Sequence, residues 1–166
     1  MHICYLSLGS NMGCREEHLD AARRMLQHQG LVIIAESPVY QTAPWGFHSQ
    51  IHFLNQVIKG GCSFSASELF QITSQTENDL GRIRTRGGSY ENRVIDIDIL
   101  FFDDMIISTT HLEIPHPRIA DRRFILEPLS AIAPYHIHPV LQKDISTLLA
   151  ACPDHGVVSI FQPDQQ

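Results

Sequence analysis

The order of apolar and polar positions predicts that strands and helices alternate along this chain. Runs of apolar, often β-branched residues are separated by segments in which apolar residues recur every three to four positions. The predicted strands cover residues 3–8, 31–35 (resuming at Val39-Tyr40 after Pro38), 53–59 and 95–102, and the predicted helices cover 15–29 and 65–80. The resulting order is β-α-β-β-α-β.

Glycines and small polar residues mark the predicted ends of these elements. Gly9-Ser10-Asn11 is expected to end the first strand, with Asn11 as a cap for the first helix, and Gly30 is expected to end that helix. Gly60-Gly61 is expected to end the third strand. Ser65 with Glu68 three residues later has the spacing of a capping box at the start of the second helix.

The remainder of the chain predicts shorter elements. Asp103-Asp104 predicts a tight turn, after which residues 105–108 should pair back as a short strand, and Ile114-Pro115-His116-Pro117 is an extended connection. Helices are predicted over 124–132 and 145–151, and a final strand over 157–161. The fold class is therefore α+β: a ferredoxin-like split βαβ core, an antiparallel sheet with helices on one face, plus a C-terminal hairpin and helices.

Length and composition favour one globular domain over residues 1–166, with a disordered tail at 162–166. A net charge of −6 argues against nucleic-acid or anionic-membrane partners. The widely spaced cysteines are expected to be free thiols, and neither a signal peptide nor a membrane-length apolar run is present. We therefore expect a cytoplasmic location, and we expect a monomer rather than an oligomer.

The most informative stretch is residues 93–102, a strand-like apolar run that contains Asp96 and Asp98. Side chains two residues apart on a strand share a face, so the two carboxylates should point together, opposite Ile95, Ile97, Ile99 and Phe101. Adjacent carboxylates repel, and apolar surroundings raise the cost of keeping both charged. Mg²⁺, which binds through carboxylates and substrate phosphates, is the natural counter-ion. Harmless acids on an exposed edge strand are the alternative.

Arginines bracket this pair of acids. Seven of the twelve Lys and Arg residues lie in two short segments around it: Arg82, Arg84, Arg86 and Arg93 before it, and Arg118, Arg122 and Arg123 after it. The planar guanidinium suits phosphate recognition and stays charged when partly buried. Carboxylates for a metal and arginines for phosphate oxygens indicate metal-assisted phosphoryl transfer. Ordinary surface charge remains the alternative for any single arginine.

A second cluster suits a flat heterocycle. Trp45 lies in a loop with Pro44 and Gly46, and Phe53 and Asn55 share one strand face, which places a stacking ring beside an amide. A simple core role for Trp45 and Phe53 is the alternative.

Two other motifs give less information about function. Gly9-Ser10-Asn11-Met12-Gly13 matches neither a P-loop nor a dinucleotide-binding fingerprint. His136, His138, Cys152 and His155 have the ligand types of a zinc site but uncommon spacings, and whether they bind a metal stays open.

Several short motifs follow one another in a specific order and spacing. They are Ser7-Leu8-Gly9-Ser10-Asn11-Met12-Gly13, Tyr40-Gln41-Thr42-Ala43-Pro44-Trp45-Gly46, Phe53-Leu54-Asn55, Glu77 with Leu80-Gly81-Arg82, Arg93 to Leu100, Ile114-Pro115-His116-Pro117-Arg118 and Arg122-Arg123-Phe124. Together they resemble the 6-hydroxymethyl-7,8-dihydropterin pyrophosphokinase family of the folate pathway. The resemblance runs from Ile3 to about Pro134 and covers most of the chain.

That resemblance implies transfer of the terminal diphosphate of ATP, as co-substrate, to the hydroxymethyl group of a reduced pterin, with two Mg²⁺ ions held by Asp96 and Asp98. Arg82 and Arg93 join the two aspartates as catalytic residues. The implied ATP-binding residues are Glu77, Arg82, Arg84, Arg93, His116 and Arg122. The implied pterin-binding residues are Thr42, Pro44, Trp45, Phe53, Asn55 and Phe124, with Phe53 and Phe124 as the two rings that sandwich the pterin.

Two other functions remain open from the residues alone. One is a different two-metal nucleotide enzyme on the same fold, such as a cyclase, which would leave the aromatic cluster unexplained. The other is a non-catalytic ligand-sensing module, which would require no affinity for ATP.

Overall fold

A six-stranded antiparallel sheet forms the centre of the molecule, and a separate two-stranded hairpin lies beside it. The structure is a computed structural model and describes residues 1–43, 51–82 and 93–163. The strands are β1 (His2–Ser10), β2 (Val32–Glu36), β3 (Tyr40–Thr42), β4 (Phe53–Cys62), β5 (Asp96–Phe102), β6 (Ile107–Ser108), β7 (Glu113–Ile114) and β8 (Val158–Ile160). The helices are α1 (Arg15–His28), α2 (Ala66–Asp79), α3 (Arg123–Ile132) and α4 (Ile145–Ala150), with a 3-10 turn at Ile119–Asp121.

Strand order in the sheet is β5-β1-β4-β3-β8, with β2 also paired to β4. β2 and β3 follow one another along the same edge of β4, as one strand interrupted at Ser37-Pro38. Ser37 bridges the interruption, because its N–H donates to the carbonyl of Val57 (2.9 Å) and its Oγ accepts from the Val57 N–H (3.0 Å). The predicted resumption after Pro38 is thus confirmed, as are the ferredoxin-like order and the α+β class.

Helices cover both faces of the sheet, which corrects the expectation of one covered face. One core lies between the sheet and α1 and α2, and contains Leu6, Leu8, Leu19, Leu26 and Leu69. A second core lies between the opposite face and α3 and α4. The alternation along β1 explains both, since Leu6 and Leu8 enter the first core while Tyr5 enters the second.

A register shift in the pairing of β1 with β5 changes the predicted face of Phe101. Leu6 pairs with Ile99, but Tyr5 pairs with Phe101, so Leu100 is the extra residue of a β-bulge. Ile95, Ile97 and Ile99 lie in the first core as predicted. Phe101 lies in the second core, so its predicted position beside the isoleucines is wrong.

The glycines near the ends of two strands lie inside those strands. β1 ends at Ser10, within the predicted Gly9-Ser10-Asn11, whereas β4 continues through Gly60-Gly61 and ends at Cys62. A Cβ on Gly60 would lie 2.7 Å from Leu31 Cδ1, so this glycine makes room for a core leucine. Gly30 does end α1, with a φ of +106° that favours glycine.

Local signals at helix ends were partly right. Ser65 and Glu68 form the predicted capping box at α2: the Ser65 Oγ accepts from the Glu68 N–H and the Glu68 carboxylate accepts from the Ser65 N–H. Asn11 does not cap α1, because the N-cap residue is Cys14. The hairpin also differs from the prediction, since Ile107–Ser108 pairs with Glu113–Ile114 and does not pair back onto β5.

Two further expectations can be compared with the structure. Cys4, Cys14, Cys62 and Cys152 are free thiols. In the part of the chain that the structure describes, none of the helices has the length and apolar character needed to cross a membrane.

Candidate active site

Asp96 and Asp98 project from the same face of β5, as the sequence predicts. Across β1 they pair with Gly9 and Ser7, while the intervening Ile97 pairs with Leu8 and packs into the first core. The two carboxylates therefore lie on the sheet face opposite that core. Neither side chain is fully enclosed: Asp96 keeps 22% and Asp98 keeps 34% of its exposure.

Both oxygens of Asp96 accept from arginines. Arg82 Nη1 lies 2.7 Å from Asp96 Oδ1, and Arg93 Nη1 lies 2.5 Å from Asp96 Oδ2. Both arginines precede Asp96 in the sequence: Arg82 follows α2, and Arg93 lies three residues before Asp96. They compensate the charge of Asp96 and are themselves held close to the carboxylate pair.

Asp98 has much weaker compensation. His116 Nε2 lies 3.9 Å from its Oδ2, which is beyond hydrogen-bond distance. Desolvation by the surrounding protein and repulsion from Asp96 raise the pKa of Asp98 to about 7, against the lowering influence of Arg122 and Arg93. An additional cation at this carboxylate would stabilise its charged form.

Glu77 is buried in the wall behind the aspartates. Its exposed fraction is 3%, and Oε1 accepts from the N–H of Ile97 (2.7 Å), the residue between the two aspartates. The same carboxylate forms an ion pair with Arg82. Burial raises the pKa of Glu77, and the charge of Arg82 opposes this. Glu77 thus fixes both the strand that carries the aspartates and an arginine that contacts one of them.

His116 and Arg122 lie on the other side of the carboxylates. The N–H of His116 donates to the Leu100 carbonyl (3.0 Å), which ties the chain after β7 to β5. Desolvation, together with the neighbouring charge of Arg122, lowers the pKa of His116 to about 4. The Arg122 guanidinium carbon lies 5.6 Å from the centroid of the Phe124 ring, a cation–π distance.

The predicted pterin residues also share this sheet face. Asn55 pairs with Gly9 of β1 and with Tyr40 of β3, and Phe53 pairs with Thr42. The Asn55 Nδ2 donates to Thr42 Oγ1 (2.7 Å), and both side chains are buried. Phe124 lies in the first turn of α3 and packs against the second core, on the same side of the sheet. The geometry thus brings together Thr42, Phe53 and Asn55 and places Phe124 over the same face.

Three predicted site residues, Pro44, Trp45 and Arg84, lie outside the described residues. The described members of the predicted set are Thr42, Phe53, Asn55, Glu77, Arg82, Arg93, Asp96, Asp98, His116, Arg122 and Phe124.

Asn11 contributes to the site in a way that the sequence pattern does not predict. This residue is fully buried, its Oδ1 accepts from the N–H of Arg93 (2.6 Å), and its N–H donates to the carbonyl of Arg93 (3.0 Å). The turn after β1 therefore fixes the backbone that carries one of the arginines on Asp96. The only available signal was an asparagine after a strand, which suits a helix cap equally well.

The possible zinc ligands have other contacts. His136 and His138 pack edge-on against Phe101, with ring centroids 4.5 and 5.5 Å apart. Within residues 1–43, 51–82 and 93–163, no group of three or more His, Cys, Asp or Glu side chains is arranged to hold a metal ion.

Comparison with known proteins decides the family. The model of the 7,8-dihydro-6-hydroxymethylpterin-pyrophosphokinase (HPPK) family matches residues 5–134. The chain belongs to the HPPK family. The resemblance seen in the sequence motifs is therefore confirmed, and so is the enzyme class that the family name describes.

Two curated HPPK relatives are similar over most of their length. The 2-amino-4-hydroxy-6-hydroxymethyldihydropteridine pyrophosphokinase of Porphyromonas gingivalis is 42% identical over 141 residues, which is 84% of this chain and 95% of the relative. The enzyme of the same name from Bacillus subtilis is 41% identical over 132 residues, 79% of this chain and 78% of the relative.

Solved structures support the same fold. An HPPK-DHPS crystal structure in complex with substrates matches 90% of this chain with a TM-score of 0.69 and 16% identity. The Plasmodium falciparum HPPK-DHPS structure with pteroate gives a TM-score of 0.71 and 17% identity. This chain spans 43% and 42% of those two chains, respectively.

Proposed function

We propose that this protein transfers the terminal diphosphate of ATP to the hydroxymethyl group of 6-hydroxymethyl-7,8-dihydropterin and releases AMP, as a step of folate biosynthesis. This is the activity of a 2-amino-4-hydroxy-6-hydroxymethyldihydropteridine diphosphokinase. Membership of the HPPK family supports it. The structural observation that carries it is a single sheet face on which Asp96, Gly9 and Asn55 are paired across three strands.

The aspartates suit Mg²⁺, a cation that prefers oxygen ligands. The fit rests on Asp98: desolvation and the neighbouring Asp96 raise its pKa to about 7, and a cation bound beside it would stabilise its charged form. We propose that Asp96 and Asp98 hold two Mg²⁺ ions against the triphosphate of ATP. Bound there, the ions would neutralise phosphate charge and orient the reacting oxygens.

We propose that the arginines exchange partners when ATP binds. Arg82 and Arg93 now occupy both oxygens of Asp96, which would otherwise be ligands for a cation. Phosphate oxygens accept from guanidinium groups as well as carboxylates do. The triphosphate would therefore take over these arginines as the metal takes over Asp96, with Glu77 keeping Arg82 in place. Arg84, His116 and Arg122 are the proposed further phosphate contacts.

For the pterin we propose a site between Phe53 and Phe124, with Asn55 and Thr42 at its polar edge and Pro44 and Trp45 beside it. The hydrogen bond from Asn55 Nδ2 to Thr42 Oγ1 fixes the amide, so its orientation is set before the substrate arrives. Stacking between two rings would orient the flat heterocycle, and the amide would select its hydrogen-bonding edge.

In the proposed reaction the alcohol oxygen of the pterin forms a bond to the β-phosphorus of ATP. The bond from that phosphorus to the oxygen shared with the α-phosphate breaks, AMP leaves, and the alcohol proton is released to solvent. We assign no side chain as a strong general base, because phosphoryl transfer depends mainly on alignment and on neutralised charge.

Product analysis tests this proposal. With Mg²⁺, ATP and 6-hydroxymethyl-7,8-dihydropterin, chromatography should show AMP and the pterin diphosphate in equal amounts. Asp98→Ala and Asp96→Ala should each lower turnover by at least ~100-fold, as loss of charge stabilisation in an active site does. Asp104→Ala, which removes an exposed carboxylate just after β5, is the matched control and should retain full turnover.

Three results would contradict the proposal. ADP as the product would exclude diphosphate transfer. Turnover of ATP without any pterin would favour a cyclase or another two-metal nucleotide enzyme. No binding of ATP with Mg²⁺ would favour a ligand-sensing module.

We also propose that residues 1–166 act as one HPPK-like domain, as a monomer in the cytoplasm, with ATP and the reduced pterin as partners and no nucleic acid or membrane. The net charge of −6 and the four free thiols are in keeping with this. Light scattering after size exclusion should give a mass close to the 18.7 kDa of the chain, and a dimer mass would contradict the monomer.

A further inference from the structure

Gly9 occupies the middle of the row that links the two halves of the site. On one side it pairs with Asn55 of β4, and on the other with Asp96 of β5. Directly paired residues of neighbouring strands face the same side, so Asp96, Gly9 and Asn55 form one row across the sheet. Phe53, two residues from Asn55, shares this face. The row has side chains at both ends and none in the middle.

The backbone of Gly9 does not explain why a glycine is here. Gly9 lies inside β1 in an extended conformation that any residue adopts, unlike Gly13, whose φ is +58°. The space above it does explain the glycine. A Cβ at position 9 would lie 3.1 Å from Asn55 Oδ1 and 3.8 Å from Phe53 Cδ1. The missing side chain therefore leaves a gap bordered by the amide and by the aromatic ring.

The gap over Gly9 lies between the residues proposed for the heterocycle and the aspartates. Adjacent strands lie about 4.8 Å apart, so the backbones of Asn55 and Asp96, one strand to each side of Gly9, are roughly 10 Å apart. A heterocycle held by Asn55 and Phe53 has to extend a reactive group across β1 to reach the carboxylates. The direct route from Asn55 to Asp96 passes over Gly9.

We propose that Gly9 is the floor of the passage through which the hydroxymethyl arm of the pterin reaches the aspartates, and that it selects for ligands with such an arm. This inference rests on the proposed function, because it takes the pterin to bind at Asn55 and Phe53. It adds a specificity residue that makes no hydrogen bond through a side chain. A methyl group at position 9 occupies the space that the arm needs.

Ligands with and without the arm test this inference. Titration calorimetry would measure the affinity of the protein for 6-hydroxymethylpterin and for unsubstituted pterin, in the presence of Mg²⁺ and a non-hydrolysable ATP analogue. Gly9→Ala should lower the affinity for 6-hydroxymethylpterin by ~10-fold or more, which is the range of effects that one methylene group has in a close-fitting pocket. It should lower the affinity for unsubstituted pterin by less than ~3-fold. Affinity for the ATP analogue should not change.

Gly61→Ala is the matched control. It adds the same methyl group to the same sheet in β4, where the Cβ would meet the flexible end of Met1 (Sδ at 2.9 Å) and not the site. Both pterins should bind this variant as they bind the wild type.

A measurement on the wild-type protein removes the dependence on a folded variant. In the ternary complex, nuclear Overhauser effects should connect the Gly9 Hα protons with the hydroxymethyl protons of 6-hydroxymethylpterin. If these are absent while Asn55 and Phe53 show contacts with the ring, the inference is wrong.

The other outcomes separate this inference from the function on which it rests. An equal loss of affinity for both pterins in Gly9→Ala would mean that the methyl group displaces the Asn55 amide, and would overturn the selection of the arm. Unchanged affinity for both pterins would also overturn the selection of the arm. Failure of the wild type to bind either pterin would overturn the proposed function itself.

Discussion

Asp96 and Asp98 share a strand face but differ in electrostatic environment. Asp96 is bound by two arginines, whereas Asp98 has a histidine at 3.9 Å and a pKa raised to about 7, chiefly by desolvation. The pair therefore combines one carboxylate held by two arginines with one whose desolvation outweighs the influence of Arg122 and Arg93. Residues outside the row decide this difference, because Glu77 holds Arg82 and Asn11 holds Arg93.

Removing the Asn11 side chain should impair the site while leaving the fold intact. In Asn11→Ala the Arg93 N–H loses its 2.6 Å partner, so Arg93 is less well placed for Asp96 and for a phosphate. We expect turnover to fall by ~10- to 100-fold, as it does when groups that orient active-site ligands are removed, together with weaker binding of the ATP analogue.

Asn11→Asp provides the rescue control, because its carboxylate can still accept from the Arg93 N–H. Its turnover should exceed that of Asn11→Ala, with circular dichroism melting curves recorded for both. Equal turnover of wild type and Asn11→Ala would show that the hydrogen bond between Asn11 and the Arg93 N–H has no role in positioning Arg93 for catalysis.

At the scale of elements, the glycines in β4 permit the packing that sets its register. Gly60 pairs with Ile33 of β2 and with Cys4 of β1, and Leu31 fills the space above it. A side chain here would meet a leucine in a close-packed core, where displaced atoms have little room to move.

Gly60→Ala should therefore destabilise the protein by ~1–3 kcal/mol, the usual range for overpacking. Urea unfolding followed by circular dichroism measures this change. The double variant Gly60→Ala/Leu31→Ala supplies the coupling: if the clash is the cause, the glycine substitution should cost much less in the Leu31→Ala background. Additive effects of the two substitutions would exclude the clash.

The bulge in β5 has a consequence for pH dependence. It turns Phe101 into the second core, where His136 packs on it with centroids 4.5 Å apart and on Tyr5 at 4.9 Å. Desolvation lowers the pKa of His136; of the charged groups that act on it, Asp104 opposes this shift and Lys59 adds to it. The folded protein thus favours the neutral imidazole.

Acid should therefore weaken the fold through His136. A pKa that is lower in the folded state means that the unfolded chain binds more protons. The contribution of His136 to the free energy of unfolding is therefore complete above about pH 6.5 and declines as the pH falls below that value. The loss is limited because the ring is only partly buried and water screens its charge. His136→Leu should flatten the unfolding free energy between pH 7 and 5. If the free energy of unfolding of His136→Leu changes with pH as steeply as that of the wild type, His136 is not the cause of the acid sensitivity.

At the scale of the whole molecule, the second core joins the site to the C-terminal part of the chain. Tyr5, Val57 and Phe101 from the sheet meet α3 and α4, and α3 carries Phe124 at its start. Ile145, Leu148 and Cys152 belong to this core although they lie beyond the residues 5–134 that match the family model. The C-terminal segment therefore stabilises the surface on which α3 and Phe124 rest.

Leu148→Ala tests that dependence. Leu148 keeps 6% of its exposure, and truncating it should lower the free energy of unfolding by ~2–4 kcal/mol. Leu141→Ala, at a leucine that keeps 43% of its exposure, is the matched control and should cost less than ~0.5 kcal/mol. Equal effects in urea unfolding would show that α4 adds nothing to the core.

The sequence by itself determined the order of the main strands and helices, the shared face of Asp96 and Asp98, and the capping box at Ser65. These follow from interactions within a few residues: the alternation of a strand, the period of a helix and a hydrogen bond at a helix end. The ordered motifs also determined the family.

Tertiary structure alone decided the second covered face of the sheet, the turn of Phe101 at the bulge, the place of Gly60 inside a strand and the contact of Asn11 with Arg93. Each depends on residues far apart in sequence, such as Leu31 over Gly60 or Asn11 beside Arg93. A local pattern cannot distinguish a glycine that ends a strand from one that makes room for a distant side chain. Only the packed chain contains that difference.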